Sequence, residues 1–247
     1  MKFAEILELI SRGRTDFFIE LMGRENWKDS LNQGPVRPLP WLVYFNDFTG
    51  LKSVIENGGT LESINLNEEL GNAAFFGHWK VCDFLINHGA DVNSCVEKTN
   101  ETPLHNALTK AGRPYYFYVV KLFEKGANIN AKTISGMETG AFMRDVRTKG
   151  ETPLHRAAAY ADEKTISFLI SNGADKQVKD VNGDSPLSWA SQHLRPGKIL
   201  ALLTYGKYKV SEVHKAINVS DHGHDWGNSM EWNLVGDYLP QGKIENG

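Results

Sequence analysis

An internal repeat constrains this chain more than any other feature. Thr102-Pro103-Leu104-His105 returns as Thr152-Pro153-Leu154-His155 and then, 33 residues later, as Ser185-Pro186-Leu187-Ser188. Alanines follow each copy, at Ala107, Ala157-Ala158 and Ala190. A second signature closes the units: Leu85 to Gly89-Ala90-Asp91, Leu122 to Gly126-Ala127-Asn128, and Leu169 to Gly173-Ala174-Asp175. The unit leucine and the closing glycine stand 19 residues apart in Leu70/Gly89, Leu154/Gly173 and Leu187/Gly206. Units of this length cannot bury an apolar face alone. The sequence therefore predicts a stack in which each unit covers its neighbour, not a domain wrapped around one centre.

The residues within a unit predict its local structure. Thr102 and Thr152 suit the N-cap of a helix, and Pro103 and Pro153 suit its first turn, where the missing N–H has no partner to lose. Small alanines then let two helices approach closely. Val81, Phe84 and Leu85, like Ile166, Leu169 and Ile170, give a second helix an apolar stripe. Gly89, Gly126 and Gly173 end it where a left-handed backbone is wanted. Each unit reads as helix, turn, helix, loop.

These motifs resemble the ankyrin-repeat family, and the resemblance covers roughly residues 37 to 206. It implies an all-α fold, a solenoid of stacked helix-turn-helix units joined by short β-turn or hairpin loops. The expected units are 37–67, 68–101, 102–151, 152–184 and 185–206. The first is a weaker copy in which Arg37-Pro38-Leu39-Pro40 stands for the Thr-Pro-Leu-His motif. Residues 1–36, with Ile6, Leu9 and Ile10 in one periodic stretch and Phe17, Phe18, Leu21 and Met22 in another, are expected to form an N-terminal capping hairpin. Residues 207–247 are expected to supply a capping helix and a tail. In this family the histidine of the motif ties neighbouring loops together, which implies a structural role for His105 and His155.

The third unit departs from the period twice. Leu104 to Gly126 is 22 residues instead of 19, which lengthens the turn between its helices. Gly126 to Pro153 is 27 residues, against 14 from Gly89 to Pro103, so about thirteen extra residues fall within 134–149. The inserted finger carries Met137, Phe142, Met143, Arg144, Arg147 and Lys149, an apolar tip on a basic base.

The family resemblance implies that a partner lies along the loop tips and the inner face of the first helices. The residue after the motif histidine reads Trp41, Asn72, Asn106, Arg156 and Trp189 through the units, and three residues on come Tyr44, Phe75, Thr109, Ala159 and Gln192. Large rigid side chains on such a row suit a binding face. The expected partner-binding residues are Trp41, Tyr44, Phe75, Asn106, Arg156, Tyr160 and Trp189 with Phe142, Met143, Arg144, Arg147 and Lys149 of the finger. Against this, a tryptophan in an outermost unit can equally seal the core. The basic finger favours an acidic partner surface.

Other functions find little support. Lys plus Arg number 27 and Asp plus Glu 30, a net charge of −3, so no basic field exists to condense on phosphates or an anionic membrane. No apolar run is long enough for a membrane span, the N-terminus lacks a signal-peptide core, and a cytoplasmic monomer is expected. Cys82 and Cys95 have no CxxC partner, which disfavours a disulfide framework and a zinc site. No P-loop, GxGxxG, GxSxG or HExxH occurs. The expectation is a non-enzymatic protein-binding module without a cofactor, serving as a scaffold, an effector or a toxin-neutralising protein. The alternative is a metal-dependent or other enzymatic activity in the tail, where Asp221, His222, His224 and Asp225 crowd together.

Overall fold

The computed structural model describes residues 2–31, 37–109, 114–136 and 150–206, and all regular structure among them is helical. A leading group comprises α1 (Phe3–Ser11), a 3₁₀ turn (Thr15–Phe17), α2 (Phe18–Met22) and α3 (Trp27–Ser30). Helix pairs follow: α4 (Pro38–Tyr44) with α5 (Phe48–Glu56), α6 (Leu66–Phe76) with α7 (Trp79–Asn87), and α8 (Pro103–Ala107) with α9 (Tyr115–Glu124). The array continues with α10 (Pro153–Tyr160) and α11 (Glu163–Ser171), then α12 (Pro186–Gln192) and α13 (Gly197–Leu203).

The first helices of successive pairs pack on one another as an inner row, and the second helices form an outer row. α1 lies against α4 and covers the open side of the first pair. Along the stack runs one apolar core, from Ile6 and Ile10 through Leu42, Leu70, Leu104, Leu154 and Ile166 to Leu203. Each fully buried leucine in it contributes about 1.5–3 kcal/mol relative to exposure. The alanines of the inner helices, Ala73, Ala107, Ala157, Ala158 and Ala190, are buried in this core.

Polar groups fix the register from one unit to the next. Asn67 Oδ1 accepts from Asp91 N–H at 2.8 Å, Asn93 Oδ1 from Asn128 N–H at 2.7 Å, and Asn130 Oδ1 from Asp175 N–H at 3.0 Å. Asn93 and Asn130 also donate their amides to the Gly126 and Gly173 carbonyls. The loop glycine and its following polar residue thus form a ladder up one edge. Gly89 sits at φ +103° and Gly173 at φ +91°, which a side chain rarely tolerates. Between the pairs the chain turns back on itself, with Val96 N–H on the Glu101 carbonyl, Thr133 N–H on Glu151 and Asp180 N–H on Asp184. The first and last of these are the short hairpin loops the repeat implies, and the Thr133 bond brackets the inserted residues.

Candidate protein-interaction surface

The motif histidines belong to the scaffold. Thr152 N–H donates to His155 Nδ1 at 3.2 Å, so Nδ1 must be the acceptor and Nε2 carries the proton. Nε2 then donates to the Asp184 carbonyl, 3.2 Å away in the next loop. Burial lowers the His155 pKa to about 4, against the opposing pull of the Asp184 backbone and Asp180. His105 repeats the inner half of this arrangement, taking the Thr102 N–H on Nδ1 at 3.3 Å. Its Nε2 has no acceptor at hydrogen-bond distance among the described residues, although the Glu151 and Ala131 backbones are near enough to favour its charge. Burial first, and then Arg156, hold His105 well below the usual imidazole value. Both rings are buried and neutral, and they serve the scaffold through these bonds.

Two residues expected on the binding face are instead internal. Arg156 is 1% exposed. Its Nη2 donates to Glu101 Oε1 at 2.7 Å and to Glu151 Oε1 at 2.6 Å, and its Nε to Glu151 at 2.9 Å. Its Nη1 donates to Thr109 Oγ1 at 2.6 Å and the His105 carbonyl at 3.1 Å, and Thr133 Oγ1 donates to the second Glu151 oxygen at 2.9 Å. The long side chain from α10 therefore reaches back and bolts the third unit to the fourth. This is where α8 and α10 meet more sparsely than α10 and α12. Trp189 is also 1% exposed, packed on Ala159 and Tyr160, with its indole N–H donated to Asp180 at 3.0 Å. Neither side chain presents an atom to a partner. Thr109 and Ala159 of the neighbouring row are buried with them. The inner helix lays this row over the preceding unit's inner helix, Arg156 on Thr109 and Trp189 on Ala159.

The remaining expected residues divide by end. Trp41, Tyr44 and Phe75 gather at the N-terminal end of the inner row. Tyr44, 49% exposed, stands edge-on to Trp41 at 5.8 Å between ring centres and to Phe76 at 5.0 Å. Phe75 meets Phe76 at 5.1 Å, and Trp41 stacks on Phe45 at 5.7 Å. Asn106 is half-buried, its amide 3.4 Å from the Gly71 carbonyl, tying the third unit to the second. Tyr160 lies at the other end beside His193, its hydroxyl 3.5 Å from Nδ1. Phe142, Met143, Arg144, Arg147 and Lys149 of the finger fall outside the described residues, as do Asp221, His222, His224 and Asp225 of the tail.

A groove of about 500 Å³ opens between α4 and α6. Pro40, Trp41, Val43 and Tyr44 line it from one helix, and Glu69, Asn72 and Phe76 from the other. Glu69 is only 9% exposed, and its carboxyl takes a 3.5 Å contact from the Asn72 amide on the same helix. Burial, the largest influence, pushes its pKa up, Asn72 opposes this and Glu68 adds to it. Sequence reasoning passed over Glu69 and Phe76. The available signal was positional: Glu69 stands where the other units place the buried Pro38, Pro103, Pro153 and Pro186.

Burial pushes the Cys82 thiol up to about 12, which keeps it protonated as a small core residue, and Cys95 is exposed in a loop. Among the described residues no three His, Cys, Asp or Glu side chains stand together as a metal site, and no helix is long and apolar enough to cross a membrane.

Comparison with known proteins agrees with this architecture. Residues 136–212 match a family model of ankyrin repeats in three copies, and residues 70–114 a model of ankyrin repeats in many copies. The chain belongs to the ankyrin-repeat family. It is 25% identical over 165 residues to the target of rapamycin complex 2 subunit AVO2 of Saccharomyces cerevisiae, a match covering 66% of this chain and 34% of that protein. It is 31% identical over 123 residues to human rabankyrin-5, covering 49% of this chain and 9% of that protein. An ankyrin repeat protein of Rickettsia felis is 34% identical over 119 residues, 44% of each chain. The matches thus span less than half the length of each of these relatives. An ankyrin array of this kind is a protein–protein interaction module.

Proposed function

We propose that this ankyrin array binds one protein partner, without chemistry of its own, through the N-terminal half of its inner-helix face together with the loop inserted within residues 134–149. The observation that carries the reading is an aromatic cluster beside an open groove, in which an exposed Tyr44 meets the half-buried Trp41 and Phe76, with Phe75 next to Phe76. Aromatic side chains offer large contact area at little entropic cost, and a concave site lined by them is the common form of a recognition site. The basic residues Arg144, Arg147 and Lys149 favour an acidic patch on the partner where the loop meets it. Arg156 is not part of that patch, because its charge is taken up by Glu101 and Glu151. The protein works in this reading as a cytoplasmic monomer.

One of the similar proteins is by name a subunit of a complex, and stoichiometric assembly is what this surface suits. It is also the common element of the scaffold, effector and toxin-neutralising roles that the sequence leaves open. The test is capture from the native cell with the full chain as bait, followed by affinity measurement with the purified partner. Tyr44→Ser and deletion of residues 137–147 should each weaken binding at least tenfold, about 1.4 kcal/mol, with little change in the unfolding midpoint. Wild-type affinity in both variants would place the interface elsewhere.

A further inference from the structure

We infer that the groove between α4 and α6 receives the cationic side chain of a lysine or arginine from the protein partner, with Glu69 as its counter-ion and Trp41 and Tyr44 as its walls. This rests on the reading that the N-terminal inner face is the recognition surface, and it adds the chemistry of the anchor.

Glu69 supplies a carboxyl group that the fold does not require. The equivalent position of the other units is a proline buried at a helix start, and each of those helices forms without an acid there. In the second unit the helix begins earlier, at Leu66, with Asn65 as its cap accepting the Asn67 and Glu68 N–H groups. Glu69 is therefore free of any capping duty. It is nine-tenths buried and lines the groove. A carboxylate offers about four acceptor sites, and among the described residues Glu69 engages one amide at 3.5 Å. A buried charge in this state is costly unless it is paired, and the burial that raises its pKa reports the same cost.

The rest of the groove selects the partner's charge and shape. Trp41 and Tyr44 stand edge to face at 5.8 Å, and Tyr44 and Phe76 at 5.0 Å, so aromatic surface lines the same groove as the carboxyl. A cation within about 6 Å of an aromatic ring centre is attracted to its face, more strongly when desolvated. Pro40 and Val43 supply apolar surface for an aliphatic stem, which long basic side chains readily lay against such walls. A neutral apolar occupant would complete the desolvation of Glu69 and leave it unpaired, and an acidic one would add repulsion. Because the groove opens on the inner-helix face, the cation arrives as a side chain of a docked polypeptide.

The test uses the full chain and terminally blocked pentapeptides, Gly-Ser-Arg-Ser-Gly and its lysine counterpart, with citrulline and norleucine versions as neutral controls and choline as a free cation. Chemical-shift titration should show saturable movement of the Trp41 indole resonance with the arginine or lysine peptide. Both neutral controls should bind at least tenfold more weakly. Glu69→Gln, which keeps the side-chain shape, should weaken the basic peptide at least tenfold and leave the remaining spectrum folded. Saturation by choline with no response to either basic peptide would assign the groove to a small cation and overturn the inference. Equal binding of citrulline and arginine peptides, no saturable shift at all, or undiminished binding to Glu69→Gln would overturn it too. Capture of the native partner separates the two readings. If Glu69→Gln binds the partner at full affinity while Tyr44→Ser does not, the groove inference fails and recognition by the inner face stands.

Discussion

Trp41 in the first unit and Trp189 in the fifth hold the same place on their inner helices, yet Trp41 borders an open groove while Trp189 is sealed against Ala159 with its indole N–H on Asp180. Trp189 meets the small Ala159 of the preceding unit, whereas Trp41 shares its helix with Tyr44 beside the seam with the next unit. The position after the motif histidine lies back over the residue three places beyond it in the preceding unit: Arg156 bonds Thr109, Trp189 packs on Ala159, and Asn72 faces Tyr44 across the groove. Small residues at Thr109 and Ala159 let a large side chain sink into the seam. At Tyr44 a large residue stands with the short Asn72 along the groove. In the same register Phe75 precedes Asn106. The array therefore has a closed half, in which the row serves cohesion, and an open half, in which it borders the groove proposed for recognition.

The largest expected effect strikes the closed half. Arg156→Ala strands Glu101 and Glu151, both almost fully buried, and should destabilise the protein by about 3–5 kcal/mol, as removal of one member of a buried ion pair does. Equilibrium denaturation reads it. A loss below about 1 kcal/mol would mean that the cluster is solvated and the junction open.

Acid should weaken the same half next. His155 is neutral when folded, with a pKa lowered from 6.5 to about 4. Above pH 6.5 both folded and unfolded states are neutral and its contribution is complete. As pH falls, the unfolded chain takes up the proton first, so stability falls by about 1.4 kcal/mol per pH unit until the folded ring titrates, about 3 kcal/mol in all. His105 adds a loss of the same sign. Pro40 and Gly71 occupy this position in the first two units. Hydrogen exchange at pH 7 and pH 5 should therefore show lost protection in α8, α10 and α12, with α4 and α6 little changed. Uniform loss would contradict the division.

Smaller effects follow from size matching. Ala159→Leu places extra carbon against Trp189 and should cost about 1–3 kcal/mol by overpacking, read in a thermal melt. Tyr44→Ser, on the open side, should change stability by no more than about 0.5 kcal/mol, and a loss as large as that of Ala159→Leu would show that Tyr44 holds the stack together.

Much of this was legible in the sequence because the repeat fixes spacing. The two Thr-Pro-Leu-His copies, the leucine-to-glycine interval and the Gly-Ala-Asp endings specify the helix pairs and the loops between them. The buried fate of Arg156 was harder to read, because a repeat position gives the direction of a side chain and not the size of what it meets. Its clue lay in Glu101 and Glu151, each directly ahead of a Thr-Pro pair. These acids sit on successive loops and come together only after the inserted residues are looped out. Glu69 escaped notice for the opposite reason. An acid in the first turn of a helix looks like ordinary dipole compensation, and its meaning appears only when the proline slot it fills is seen to be buried.

The most direct test of the closed and open halves is the unfolding free energy of Trp41→Ala beside that of Trp189→Ala, the same substitution at the same repeat position. Trp189 is fully buried and bonded to Asp180, so its loss should reach about 3–5 kcal/mol, and it should exceed the loss at Trp41 by at least about 2 kcal/mol. Equal losses at the two sites, or a larger one at Trp41, would contradict the division of the array into a cohesive half and a recognition half.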